Sequence, residues 1–291
     1  MPNAWKPLGA AAPRKLGKVY LQPYQAAQWL ARFARGYLAP VEDDSHTSLE
    51  WRRDLHMMVT NEADAGGRRV AMGLDPRDLV LVFLIDGRAE TALALHSLTD
   101  AAAGAWVRAG VRDLGLAPEA LDAPSPYELP PSPYAEGAPY DSHKDVAALA
   151  EGARYLDNAA MLLADLVETH RDVKPGSAPV RLWPHHFDLA TIITLEEGPF
   201  EMARAVGAGL AVPDKLYKEF YFYTYPWPRE PRKGLPKLRA NCSYQYDGFF
   251  GAVQTMSRLV KEKDQEAAAR AFFTETVGVF MALLHKEMRA G

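Results

Sequence analysis

Ala26, Leu30, Phe33 and Tyr37 recur at helical spacing, which predicts an amphipathic helix over 24–38 that stops before Pro40. The period then shortens to two. Segments 55–60, 69–74, 79–85 and 90–96 are short and apolar or alternating, and Gly-Gly, Asp-Pro and Asp-Gly turn signals separate them, so each reads as a strand. Thr99 or Asp100 then caps a helix through Trp106, Val107, Val111 and Leu114 that ends at Gly115.

The order recurs further on. A capping box over Ser142 to Asp145 precedes a helix striped by Leu149, Leu156, Leu163 and Val167. Strands are expected at 180–187, 188–195, 202–210, 219–225 and 241–246. A closing helix from about Asp264 carries Phe273, Val277, Phe280, Leu284 and Met288 on one stripe. Between the two series, Leu116 to Tyr140 contains seven prolines, which fix φ and remove amide donors; it reads as an extended strap without ladder bonds.

Helix, strands, helix thus occurs twice. Trp51-x-x-Asp-Leu-His echoes Trp183-x-x-His-Phe-Asp, and Met72-Gly-Leu echoes Ala208-Gly-Leu. The expected architecture is α+β with two related halves, 1–115 and 142–291, joined by the 116–141 strap. Each half is mostly antiparallel sheet with flanking helices.

Composition narrows the classes. The 291 residues are 48% hydrophobic, enough for a sizeable core, and the net charge of −4 comes from interleaved acids and bases. No nucleic-acid or membrane partner is expected from that pattern. The longest run of apolar side chains, Leu79 to Ile85, is far shorter than the roughly 20 residues of a bilayer span. Prolines and lysines interrupt 1–18, which does not read as a signal peptide. The single cysteine, Cys242, forms no disulfide within the chain, and a cytoplasmic location is expected.

The segment Arg181-Leu-Trp-Pro-His-His-Phe-Asp-Leu-Ala-Thr191 carries the richest chemistry. Read as extended, it places His186 and Asp188 on one face and Trp183, His185 and Phe187 on the other, with Pro184 suggesting an edge strand. His-x-Asp suits a divalent metal if a third donor arrives, or a carboxylate-oriented general base, or a hydrogen-bonded pair that ties down a strand end. His46, in a polar turn, and His56, the repeat counterpart of Asp188, are the third-donor candidates. His143, His170 and His285 read as surface residues at helix ends.

Glu219 to Tyr225 alternates cleanly. Phe220, Phe222 and Thr224 suit a core, while Tyr221, Tyr223 and Tyr225 would form an aromatic wall for a small molecule, or else an outer sheet face. Pro226-Trp-Pro228 is expected to leave the sheet and rim that wall. Cys242 has no near basic neighbour and reads as unreactive. No Gly-x-Gly-x-x-Gly, Walker loop or Gly-x-Ser-x-Gly elbow is present, which disfavours nucleotide folds and α/β-hydrolases.

Five stretches resemble an uncharacterised bacterial family, a domain of unknown function. They are Asp43-Asp-Ser-His-Thr-Ser-Leu-Glu-Trp51, Asp122-Ala-Pro-Ser-Pro-Tyr-Glu-Leu-Pro130, Leu182 to Thr191, Gly207-Ala-Gly-Leu210 and Glu219-Phe-Tyr-Phe-Tyr-Thr-Tyr-Pro-Trp-Pro228. The resemblance implies relatives rather than an activity. Where that family carries His-Trp-His-Thr-Glu-Gly, this chain reads Ser243-Tyr-Gln-Tyr-Asp-Gly248, which implies a weaker, different or absent site if those histidines bind metal in the relatives.

The resulting expectation is a small-molecule enzyme with a site between the halves: His186 and Asp188 as metal ligands or base pair, His46 assisting, and Trp183, Tyr221, Tyr223 and Tyr225 holding substrate. The alternatives are a non-catalytic small-ligand-binding protein and a homodimeric scaffold paired through an edge strand.

Overall fold

The structure, a computed structural model, describes residues 4–198, 203–230 and 233–288. Its helices are α1 (Leu16–Val19), α2 (Leu21–Tyr37), α3 (Asp100–Asp113), α4 (Val146–Thr169), α5 (Met256–Leu259) and α6 (Gln265–Met288). The first six strands are β1 (Leu49–Arg52), β2 (Met57–Thr60), β3 (Ala63–Ala65), β4 (Arg68–Asp75), β5 (Val80–Ile85) and β6 (Arg88–Ala94). The others are β7 (Gly176–Ser177), β8 (Arg181–Trp183), β9 (Asp188–Glu196), β10 (Arg204–Ala211), β11 (Tyr221–Trp227), β12 (Ser243–Gln245) and β13 (Gly251–Thr255). All thirteen belong to one antiparallel sheet in the order β12-β13-β11-β10-β9-β8-β1-β2-β4-β5-β6, with β3 on β4 and β7 on β9. The α+β class with an antiparallel sheet therefore holds.

Local chemistry accounts for the turns. Asp86 and Gly87 both take positive φ and close the β5–β6 hairpin in two residues, and Gly66 and Gly67 do the same for β3–β4. Thr99 caps α3 by accepting from the Ala102 amide, and Asp264 accepts from Ala267 at the start of α6.

One face of the sheet is covered by helices: α2 lies on β2 and β4, α4 on β1, β9 and β10, and α6 on β10 and β11. The predicted stripes point into this core, with Leu30, Phe33, Leu149, Leu163, Val277, Phe280 and Leu284 fully buried; Met288 lies outside the described side chains. Each such burial contributes about 1.5–3 kcal/mol. Over Gln265–His285, α6 is the one described helix long and apolar enough by composition to cross a membrane, and its Phe272, Phe273, Val277 and Phe280 pack in the core.

Several elements differ from expectation. The short strand β1 lies where a polar turn was expected, and it makes the central Leu49–Leu182 pairing with β8 that carries the sheet across the whole chain. Strand β13 was not anticipated either. Ser142 is not a capping residue: its side chain is buried, and the Asp141 carboxylate instead accepts from the amides of His143 and Lys144. The predicted 180–187 strand is cut at Trp183, so Pro184 sits in a turn and β8 is internal, flanked by β9 and β1. Pro226 stays in the sheet opposite Val206, because β13 pairs only as far as Thr224 and leaves one side of β11 open at the residue that lacks an N–H. The Pro-rich strap carries one 3-10 turn, Pro118–Asp122, and runs along α2, where Tyr127 donates to Gln28.

Candidate functional site

The sheet face turned away from the helices is organised in rows by the strand registers. Trp183 pairs with Asp188 and Ala211 with Tyr221, each one residue beyond the Leu189–Leu210 pair that joins β9 to β10, and Arg181, Ala190, Gly209 and Tyr223 form a continuous row across β8, β9, β10 and β11. Ile192, Gly207 and Tyr225 form the next. Small residues fill the middle and large ones the sides, which leaves a trough. It forms a cavity of about 670 Å³, completed by Asp43 and Asp44, Pro179, Asp214, Arg229 and Phe249 from flanking loops.

Glycine makes the floor. A Cβ on Gly207 would lie 2.3 Å from the Tyr225 ring, and one on Gly209 would lie 2.6 Å from the Tyr223 hydroxyl. Both tyrosine rings therefore lie over the bare backbone of β10, 6.0 Å apart between centroids and within 17° of parallel. The Arg229 guanidinium sits 3.7 Å from the Tyr225 ring centroid. Tyr221 is held beside them by donating to Asp214 Oδ2 at 2.8 Å. On the opposite face Phe220, Phe222 and Thr224 are buried, as alternation requires.

Tyr223 donates to Asp188 Oδ2 at 2.5 Å. The other oxygen, Oδ1, has almost no water-accessible surface and no protein hydrogen-bond partner. Burial pushes the Asp188 pKa above the ordinary carboxylate range, against the opposing pull of the Tyr223 hydroxyl and of His186.

The histidine pair is positioned by a turn rather than a strand. Residues 184–187 connect Trp183 to its cross-strand partner Asp188, and Phe187 takes a left-handed φ of 56°. That reversal sends the Phe187 ring into the core, stacked on Tyr24 at 4.7 Å. Tyr24 and Gln28 fasten the turn to α2 by donating to the carbonyls of His185 and Pro184. The expected split of faces is thereby corrected: Trp183, His185, His186 and Asp188 all line the cavity, and only Phe187 points away. His186 is exposed, while burial and the neighbouring His186 push the His185 pKa down and favour its neutral ring.

Trp183, Tyr221, Tyr223 and Tyr225 line the same cavity as His186 and Asp188. His46 does not line it. The His46 Nδ1 accepts from the Val41 amide at 3.4 Å, and the residues of that segment that reach the cavity are Asp43 and Asp44. His56 stands elsewhere, beside Asp157, with Lys6 and Trp51. Among the described residues no three His, Cys, Asp or Glu side chains are grouped to hold a metal ion, so His186 and Asp188 gain no third donor. Ser243 and Gln245 are engaged by Arg258 and Tyr217, outside the cavity lining. Burial raises the Cys242 thiol pKa to about 11, in keeping with an unreactive role.

Sequence reasoning missed Gly207, Gly209, Arg229 and Asp214. The sequence carries Gly-x-Gly and Tyr-x-Tyr at matching spacing, but only the strand register sets them opposite each other. A second hollow, about 810 Å³ between 234–240 and α6, is bordered mainly by small and apolar residues, and the carboxylate of its Glu275 already accepts from the amides of Arg239 and Ala240. Compared with known proteins, the chain matches no family model, no curated protein and no solved structure.

Proposed function

We propose that the protein takes up a small organic molecule on the tyrosine floor of the β8–β11 trough, and that Asp188 exchanges a proton with it while His186 stands at the mouth. One observation carries this reading: a carboxylate with one oxygen pinned by Tyr223 and the other unpartnered, on the wall of a cavity large enough for a metabolite. Buried polar atoms are normally satisfied, and leaving one bare costs about 1–3 kcal/mol, which a bound hydrogen-bond donor would recover. No metal enters the proposal, since His186 and Asp188 lack a third donor among the described residues.

A thermal-shift screen of metabolites against the wild type and Asp188→Ala tests it. Compounds that stabilise the wild type should lose their effect in the variant. Hits that stabilise both equally would remove Asp188 from the site.

We also infer that the two sheet segments derive from one repeated unit. Support comes from register: four residues link Arg52 to Met57 and Trp183 to Asp188, the last of them left-handed in both, His56 and Phe187. Gly73 and Leu74 face Val59 and Met58 as Gly209 and Leu210 face Ala190 and Leu189. On this correspondence Met57, rather than His56, stands for Asp188, and Ala71, Val82 and Leu84 stand for Gly207, Tyr223 and Tyr225. Val59, Ala71, Val82 and Leu84 form a small apolar cluster with Met57 against it, so the chemistry belongs to the second segment alone. An experimental structure in which 49–85 and 181–227 superpose no better than unrelated sheets would end this inference.

A further inference from the structure

We propose that the trough selects an organic cation, an ammonium, amidinium or guanidinium group on a ring-bearing body. This rests on the reading that the cavity holds a small molecule, and it names the class of that molecule.

The floor is the first argument. Aromatic faces are electronegative and attract cations that approach from above, and the chain already supplies one: the Arg229 guanidinium over Tyr225 at 3.7 Å. Tyr223, tiled beside Tyr225, offers an equivalent face adjacent to Asp188. The free Asp188 Oδ1 is the second argument, because a carboxylate oxygen only accepts and a charged N–H is its strongest donor. Charge balance is the third. Asp43, Asp44, Asp188 and Asp214 line the cavity against Arg181 and Arg229, an excess of two acids over fixed cations. Arg181 and Arg229 would favour an anion, but Arg181 already faces Asp43 at 3.9 Å and Arg229 is exposed to water, so neither is left as bare as Asp188 Oδ1.

Isothermal titration with benzylamine, benzyl alcohol and benzoate, three ligands of one ring and different charge, is the test. At neutral pH benzylamine should bind roughly tenfold more tightly than benzoate. Asp188→Asn should erase that advantage, weakening benzylamine about tenfold and benzyl alcohol far less. Arg229→Ala, which removes the competing cation from Tyr225, should tighten benzylamine severalfold and provides a second readout if Asp188→Asn folds poorly. Benzoate binding as well as benzylamine, or weaker benzylamine binding in Arg229→Ala, would overturn the cation proposal. If benzyl alcohol and benzoate bind and benzylamine does not, the class is wrong but the cavity reading survives; if none binds, both fall.

Discussion

Tyr223 reaches across strand β10, over Gly209, and places its hydroxyl 2.5 Å from Asp188 on β9. Two strands that never pair with each other are thus bridged by a side chain, and the bridge exists because the strand between them has no Cβ at the crossing point. A methyl group on Gly209 would lie 2.6 Å from the Tyr223 hydroxyl and 2.7 Å from the Leu189 carbonyl oxygen. The ring can swing away, but the backbone carbonyl cannot. Gly209→Ala should therefore cost about 1–3 kcal/mol in urea unfolding. It should also break the Asp188 contact, seen as weaker binding of any ligand that depends on Asp188.

Removing the hydroxyl alone separates the bridge from the packing. In Tyr223→Phe the ring still covers Gly209, but Asp188 loses the hydrogen bond that lowers its pKa. The Asp188 pKa should then rise further, measured by NMR titration of its labelled carboxyl carbon, with a stability loss of about 1 kcal/mol. An unchanged or lower pKa would mean that the hydroxyl does not stabilise the carboxylate.

Asp188 should also make the protein less stable as pH rises. Its folded pKa is raised by burial, so between the ordinary carboxylate range and the raised value the unfolded chain has lost a proton that the folded protein keeps. Fewer protons on the unfolded state means that stability falls with pH through this window and levels off above it. Asp188→Asn removes the dependence. Its melting temperature should exceed that of the wild type at neutral pH, and the gap should close in acid, below the ordinary carboxylate range. A gap that persists or widens in acid would contradict the desolvated carboxylate.

How far this site was legible follows from which residues obey local rules. The alternation of Phe220 and Phe222 against Tyr221, Tyr223 and Tyr225 is a local property, and the structure divides the two sets between core and cavity. His186 and Asp188 line one cavity, but a four-residue turn brings them there rather than i, i+2 projection. A run such as Pro184-His-His-Phe187 has the aromatic content of a strand, and only tertiary packing, the stacking of Phe187 on Tyr24, decides that it turns. Strand β1 was hidden for the same reason: four residues with two charges gain strand status from neighbours on both sides. The significance of Gly207 and Gly209 depends on what lies across from them, which register alone reveals.

Phe187 offers a discriminating test of the turn itself. Its ring is buried between Tyr24 and Tyr20, so Phe187→Ala should cost about 3 kcal/mol or more by loss of packing. Its backbone, however, sits at φ 56°, where a residue with a Cβ pays about 1 kcal/mol and glycine pays nothing. In a strand glycine is worse than alanine by roughly 0.5–1 kcal/mol, because it loses more chain entropy on folding. At a left-handed turn the two terms oppose each other, and Phe187→Gly should match or exceed Phe187→Ala in stability. Urea unfolding of the pair reads this directly: an alanine variant more stable than the glycine variant would place residue 187 in extended backbone, and His186 would then project as a strand residue rather than from the turn.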